Sequence, residues 1–186
     1  MAQTVAPAQR RTLVIACTAA LAVLAGGAAY ALADGPLDTD GGLGVCAPQR
    51  PDGVTLYYAV LLPNTGANAI DVWSVTATGT NLGSVELLID PTGPDVGQAM
   101  GTMEWPADNA DDAAQDIMAR AVAPGDAAIE PGGMGQLLVA FTPQDAAAHA
   151  WVDRIEIRYA SGWRDYTETF DGYRLEFTPS DSCTLG

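Results

Sequence analysis

Beyond residue 53 the apolar side chains recur at every second position, and each run stops where glycine or proline interrupts the backbone. Val54, Leu56, Tyr58, Val60 and Leu62 alternate with smaller or polar neighbours as far as Pro63-Asn64-Thr65-Gly66. Successive side chains of an extended strand point to opposite faces, so a period of two lets one face be buried while the other meets water. Proline ends such a run because it has no N–H to give the ladder, and glycine because it admits turn conformations. Ile70, Val72 and Val75, with Trp73, mark a second strand ending near Thr78-Gly79, and residues 84–90 a third, ending at Pro91-Thr92-Gly93-Pro94.

Pro131-Gly132-Gly133 introduces Gly135, Leu137, Val139 and Phe141, and Pro143 ends the run. In 150–159, Trp151, Ile155, Ile157 and Tyr159 take one side while Arg154, Glu156 and Arg158 take the other, the pattern of a half-buried strand in an antiparallel sheet. Ser161-Gly162 turns the chain into a strand over 163–170, and Asp171-Gly172 turns it again into Tyr173, Leu175 and Phe177. Short strands separated by turns predict an all-β, antiparallel sandwich over residues 43–186. One helix is predicted at 109–123, with Asp108 or Asn109 as N-cap and Ile117, Met118 and Ala121 on its apolar side, inside an insertion spanning about 91–130. A shorter turn is expected at 144–149.

Residues 12–33 hold no charged side chain. As a helix rising about 1.5 Å per residue they would reach about 33 Å, enough for a hydrocarbon core of about 30 Å. Arg10 and Arg11 precede this stretch and only acidic residues follow it closely, so residues 1–11 are expected to stay in the cytoplasm and the rest to be translocated. Two readings stand side by side: a retained transmembrane signal-anchor, or a signal peptide cleaved after Ala31-Leu32-Ala33. Arg10-Arg11 partly matches a twin-arginine signal, and Val14-Ile15-Ala16-Cys17 superficially matches a lipobox, although the apolar stretch follows the cysteine. Residues 34–42 read as a linker.

Of the three cysteines, Cys17 lies in the apolar segment, which leaves Cys46 and Cys183 at the two ends of the expected domain. Their placement suits a disulfide closing nearly the whole domain in an oxidising compartment. Every acidic residue lies at or after Asp34; residues 34–186 set six Arg against 23 Asp and Glu, a balance of −17. Such a surface repels phosphate backbones and anionic headgroups, which argues against nucleic-acid binding. The chain has no lysine, which excludes Schiff-base and P-loop chemistry.

Two segments resemble the bacterial immunoglobulin-like modules. Leu56-Tyr57-Tyr58-Ala59-Val60 leads into Asn64-Thr65-Gly66 and then Ile70-Asp71-Val72-Trp73-Ser74-Val75, and the stretch from Pro131-Gly132-Gly133 to Pro143 is similar to the Pro-Gly segment and following strand of those modules. The Cys-Trp-Cys spacing of antibody domains is missing. The resemblance implies an immunoglobulin-like sandwich with a surface-exposed binding or scaffolding role; separately, no cofactor is expected.

The candidate ligands cluster in the insertion. Asp108, Asp112 and Asp116 recur at helical spacing beside Asp111, and clustered carboxylates are the donors calcium prefers. Acids at a helix start are equally accounted for by the helix dipole. Met100, Met103, Met118 and Met134, with the single His149, are soft donors for copper, or else gap-filling core residues. Trp105 is the tryptophan expected to be exposed, making Trp105, Met100 and Met103 candidate partner contacts, whereas Trp151 is expected in the core. With no lysine, one histidine and no Gly-x-Ser-x-Gly turn, no catalytic constellation is legible. The expected function is a membrane-anchored, non-catalytic interaction module that contacts another envelope protein; the alternative is a secreted metal- or ligand-binding protein using the insertion.

Overall fold

The computed structural model describes residues 34–39, 44–48, 54–94, 101–107, 111–180 and 183. The expected N-terminal helix at 12–33 lies outside them, as do Met100 and Asp108. Among the described residues no helix is long and apolar enough to cross a membrane.

The described residues form a mostly β body of two sheets. The first sheet holds β1 (Gly44–Pro48), β3 (Ile70–Thr80), β6 (Ala128–Ile129), β8 (Ala150–Ser161), β9 (Arg164–Phe170) and β10 (Arg174–Thr178) in the order β1-β10-β8-β3-β6, with β9 also paired to β8. The second holds β2 (Thr55–Pro63), β4 (Leu82–Asp90), β5 (Thr102–Trp105) and β7 (Met134–Pro143) in the order β4-β7-β2-β5. Every pairing is antiparallel except that of β1 with β10. Tyr58, Val60, Leu62 and Val139 of the second sheet meet Val72, Ile155, Ile157 and Tyr159 of the first in one buried core, as in a sandwich. At about 25 cal/mol per Å² of apolar surface, this shared core is the main term holding the sheets together.

Strands β2 and β7 are buried on both faces, which a simple alternation does not anticipate. Tyr57, Ala59, Leu138 and Ala140 belong to a second cluster with Met103, Ala114 and Ile117. The 91–130 interval adds β5 to the edge of the second sheet and packs the helix α1 (Asp112–Arg120) against the outer face of β2 and β7. The helix starts later than expected: Asp111 is the N-cap, and its Oδ1 accepts from the N–H of Ala114 at 3.0 Å.

Two β-bulges redirect side chains on the first sheet. The β3–β8 register slips between Thr78 and Gly79, leaving Asp153 unpaired between Val152 and Arg154. The slip flips the alternation of β8, so Val152 and Ile155 face the core while Trp151, expected in the core, is only half-buried on the outer face. There its ring lies under the Arg174 guanidinium at 4.6 Å. A second slip, between Val72 and Ser74, leaves Trp73 unpaired and 52% exposed.

Within the stretch 34–42, the residues from Gly35 to Asp38 are bound into the body. Leu37 is 3% exposed and packs in the main core. Its N–H donates to the Tyr159 hydroxyl at 3.2 Å, the Gly35 N–H to Glu168 Oε1 at 3.0 Å, and the Asp38 N–H to the Pro63 carbonyl at 3.0 Å.

Cys46 and Cys183 form the expected disulfide, with Cα atoms 5.7 Å apart across a sequence separation of 137. It ties edge strand β1 to the C-terminal end of the domain.

Candidate functional site

The insertion is built around packing contacts. Met103 is 3% exposed within the second cluster, and Met118 and Trp105 are half-buried against it. Trp105 is therefore half-buried on its edge strand instead of standing clear, and Met103 is buried. Asp111 is committed to its cap, while Asp112 and Asp116 are exposed on the helix. Among the described residues no three His, Cys, Asp or Glu side chains converge to hold a metal ion.

What fixes the insertion is a buried carboxylate. Asp90, at the end of β4, has no exposed surface. The guanidinium of Arg120, in the last turn of α1, donates to both its oxygens, from Nε at 3.2 Å and Nη2 at 2.8 Å. Thr92 donates through its N–H at 3.1 Å and its hydroxyl at 2.8 Å, and Gln136 Nε2 at 3.1 Å. Burial alone would raise the pKa of Asp90, but the hydrogen bonds from Arg120, Thr92 and Gln136 outweigh it and hold the carboxyl below its ordinary range. Beside it Ile89 and Val122 exchange backbone hydrogen bonds at 2.9 Å, closing the return from the helix onto β4. On the same sheet, burial and the neighbouring Glu86 carboxylate push the Tyr57 hydroxyl up to about 12.

The only histidine joins a second buried carboxylate. Glu176, 4% exposed on β10, meets His149 Nδ1 at 2.8 Å through Oε1 and accepts from Arg174 Nε at 3.0 Å through Oε2. The Tyr58 hydroxyl donates to the Glu176 carbonyl at 2.7 Å. His149 is thus engaged by Glu176.

The two segments that carry the immunoglobulin-like resemblance meet. Asn64, 2% exposed, donates through Nδ2 to the carbonyls of Asn68, Ile129 and Glu130 at 2.9, 3.0 and 3.1 Å. Its backbone N–H donates to the Gly133 carbonyl at 2.9 Å.

The exposed large hydrophobic residues lie elsewhere. Among the described residues they are Trp73 at 52%, Val85 at 37% and Trp163 at 82%. Trp73 shares the outer face of the first sheet with Ser74, Thr76, Arg158 and Glu156; Ser74 pairs across the strands with Arg158, and Thr76 with Glu156. Arg158 donates to Glu156 Oε1 at 3.2 Å. Trp163 is the second residue of the two-residue β8–β9 turn, closed by the pair Ser161 and Arg164. Gly162 supplies the positive φ of 63° that the first position of a type II′ turn requires, which leaves its successor projecting at the tip. Both sites have a signal in the sequence: the step of three from Val72 to Val75 marks a bulge, and a tryptophan directly after Ser-Gly falls on a turn. The chain matches no family model and no curated protein sequence.

Proposed function

We propose that the chain is an immunoglobulin-like, extracytoplasmic interaction module, held at the membrane by residues 12–33 and acting as a non-catalytic accessory subunit of a cell-envelope complex. The observation that carries the compartment is the Cys46–Cys183 disulfide. Structural disulfides persist in oxidising compartments and are rare in the cytosol, and this one follows a stretch long and apolar enough to direct export.

The interaction role draws support from the outer face of the first sheet. Trp73 presents half its surface there beside hydroxyl and charged rows, an amphipathic ring flanked by groups that pair with a partner's polar rim. The partner is another exported protein whose contact surface complements an acidic domain.

The test is purification of the full-length chain from native membranes under mild detergent. The proposal expects the chain in the membrane fraction with a stoichiometric protein partner, and loss of that partner in Trp73→Ala with the melting temperature kept. A chain found only in the cytosol, or a partner retained at full stoichiometry by Trp73→Ala, contradicts it.

A further inference from the structure

We infer that Trp163 is an interfacial anchor: the tip of the β8–β9 hairpin seats its indole in the headgroup layer of the bilayer that residues 12–33 enter. The inference rests on the reading of 12–33 as a retained span.

Its first support is covalent reach. Ala33 ends the apolar stretch and is joined through Asp34 to Gly35, two steps that extend at most about 7 Å. Gly35 is not the start of a free tether. Its N–H is bound to Glu168 on β9, and a Cβ in its place would collide with the Tyr159 hydroxyl and the Glu168 carboxylate. The next residues are equally fixed: the Pro36 carbonyl accepts from the Thr65 N–H at 2.9 Å, and Leu37 is buried. Gly35, bound at the end of the body where β8 and β9 turn, thus follows the last residue of the apolar stretch by two covalent steps.

Trp163 stands at that same end. Tyr159 pairs across the strands with Tyr166, and the β8–β9 hairpin closes two pairs further on, at Ser161 and Arg164. From Tyr166 to the tip is about 10 Å of strand. The turn packs beside the 64–69 loop, where a Cβ on Gly162 would lie 3.2 Å from the Asn68 side chain, and Thr65 of that loop binds Pro36.

The chemistry fits lipid headgroups. Tryptophan combines a large apolar ring with one N–H, and such residues collect where hydrocarbon meets water. Trp163 is 82% exposed. Arg164 follows it with its guanidinium 5.1 Å from the Tyr166 ring centroid, a long side chain of the kind that reaches along an interface. One ring is weak by itself, but a short covalent tether raises its effective concentration at the surface. Asp38, Asp165 and Glu168 at this end oppose anionic lipids, so the seat is a neutral headgroup layer.

The test uses the full chain reconstituted in phosphatidylcholine vesicles whose acyl chains carry bromine, a short-range quencher of indole emission. The expected result is that the chain floats with the vesicles, that bromine quenches part of the emission of its four tryptophans, and that this quenched part is lost in Trp163→Ala and kept in Trp73→Ala. Quenching that survives Trp163→Ala overturns the inference and leaves the anchor standing. A wild-type chain that does not float overturns both.

Discussion

Arg120 at the end of α1 grips both carboxylate oxygens of Asp90 at the end of β4, and so closes an insertion of some forty residues onto the sheet it covers. Removing the guanidinium leaves a fully buried carboxylate held only by Thr92 and Gln136. Because Arg120 is 39% exposed, the loss is smaller than for a wholly buried pair. Arg120→Ala is expected to cost about 1–3 kcal/mol in urea unfolding, and Arg120→Lys, which keeps charge without the fork, about half as much.

The same pair sets a response to acid. The carboxyl of Asp90 is held below its ordinary range, so its contribution is full above the unfolded-state value and is lost as pH falls through the lower folded-state value. In Arg120→Ala the largest of the contacts that hold the carboxyl down is lost. Melting temperatures recorded from neutral pH to about pH 2 should therefore show the gap between wild type and variant largest at neutral pH and narrowing below about pH 4. A gap that stays constant would assign the stabilisation to packing of the Arg120 stem.

Asn64 is the joint between two turns. Asn64→Ala strips a donor from the Ile129 and Glu130 carbonyls, and unsatisfied buried acceptors cost about 1–3 kcal/mol each before relaxation. A total loss of about 2–4 kcal/mol is expected by chemical denaturation. Asn64→Asp should be at least as costly, because it sets a carboxylate against the same carbonyls.

The Cys46–Cys183 bridge constrains a loop of sequence separation 137. On the chain-entropy relation its removal by Cys46→Ser with Cys183→Ser is expected to cost about 5 kcal/mol, read from denaturation midpoints of oxidised and substituted protein.

These residues also show what a sequence can carry. Ile155, Ile157 and Tyr159 alternate with charged neighbours, so their strand and its buried face are legible without a structure. Trp151 is misplaced by the same rule, because the unpaired Asp153 flips the pattern in one step and nothing local announces it. Tyr57 and Ala59 look like the outward side of β2; the helix that buries them lies more than fifty residues further along the chain. Strands β1, β5 and β6, of five, four and two residues, are too short for periodicity to register. The disulfide was legible because two terminal cysteines leave one pairing. The partnership of Asp90 with Arg120 was not, since among 23 acids no spacing singles out a long-range pair.

If the chain is an exported module, its ends are oxidised together outside the cytoplasm. Thiol-blocking of intact cells before lysis, followed by mass spectrometry of the full-length chain, reads the state of both cysteines. The expected result is peptides containing Cys46 and Cys183 joined by a disulfide and unlabelled, in protein recovered with the membrane. Blocked, unpaired thiols at both positions would contradict it.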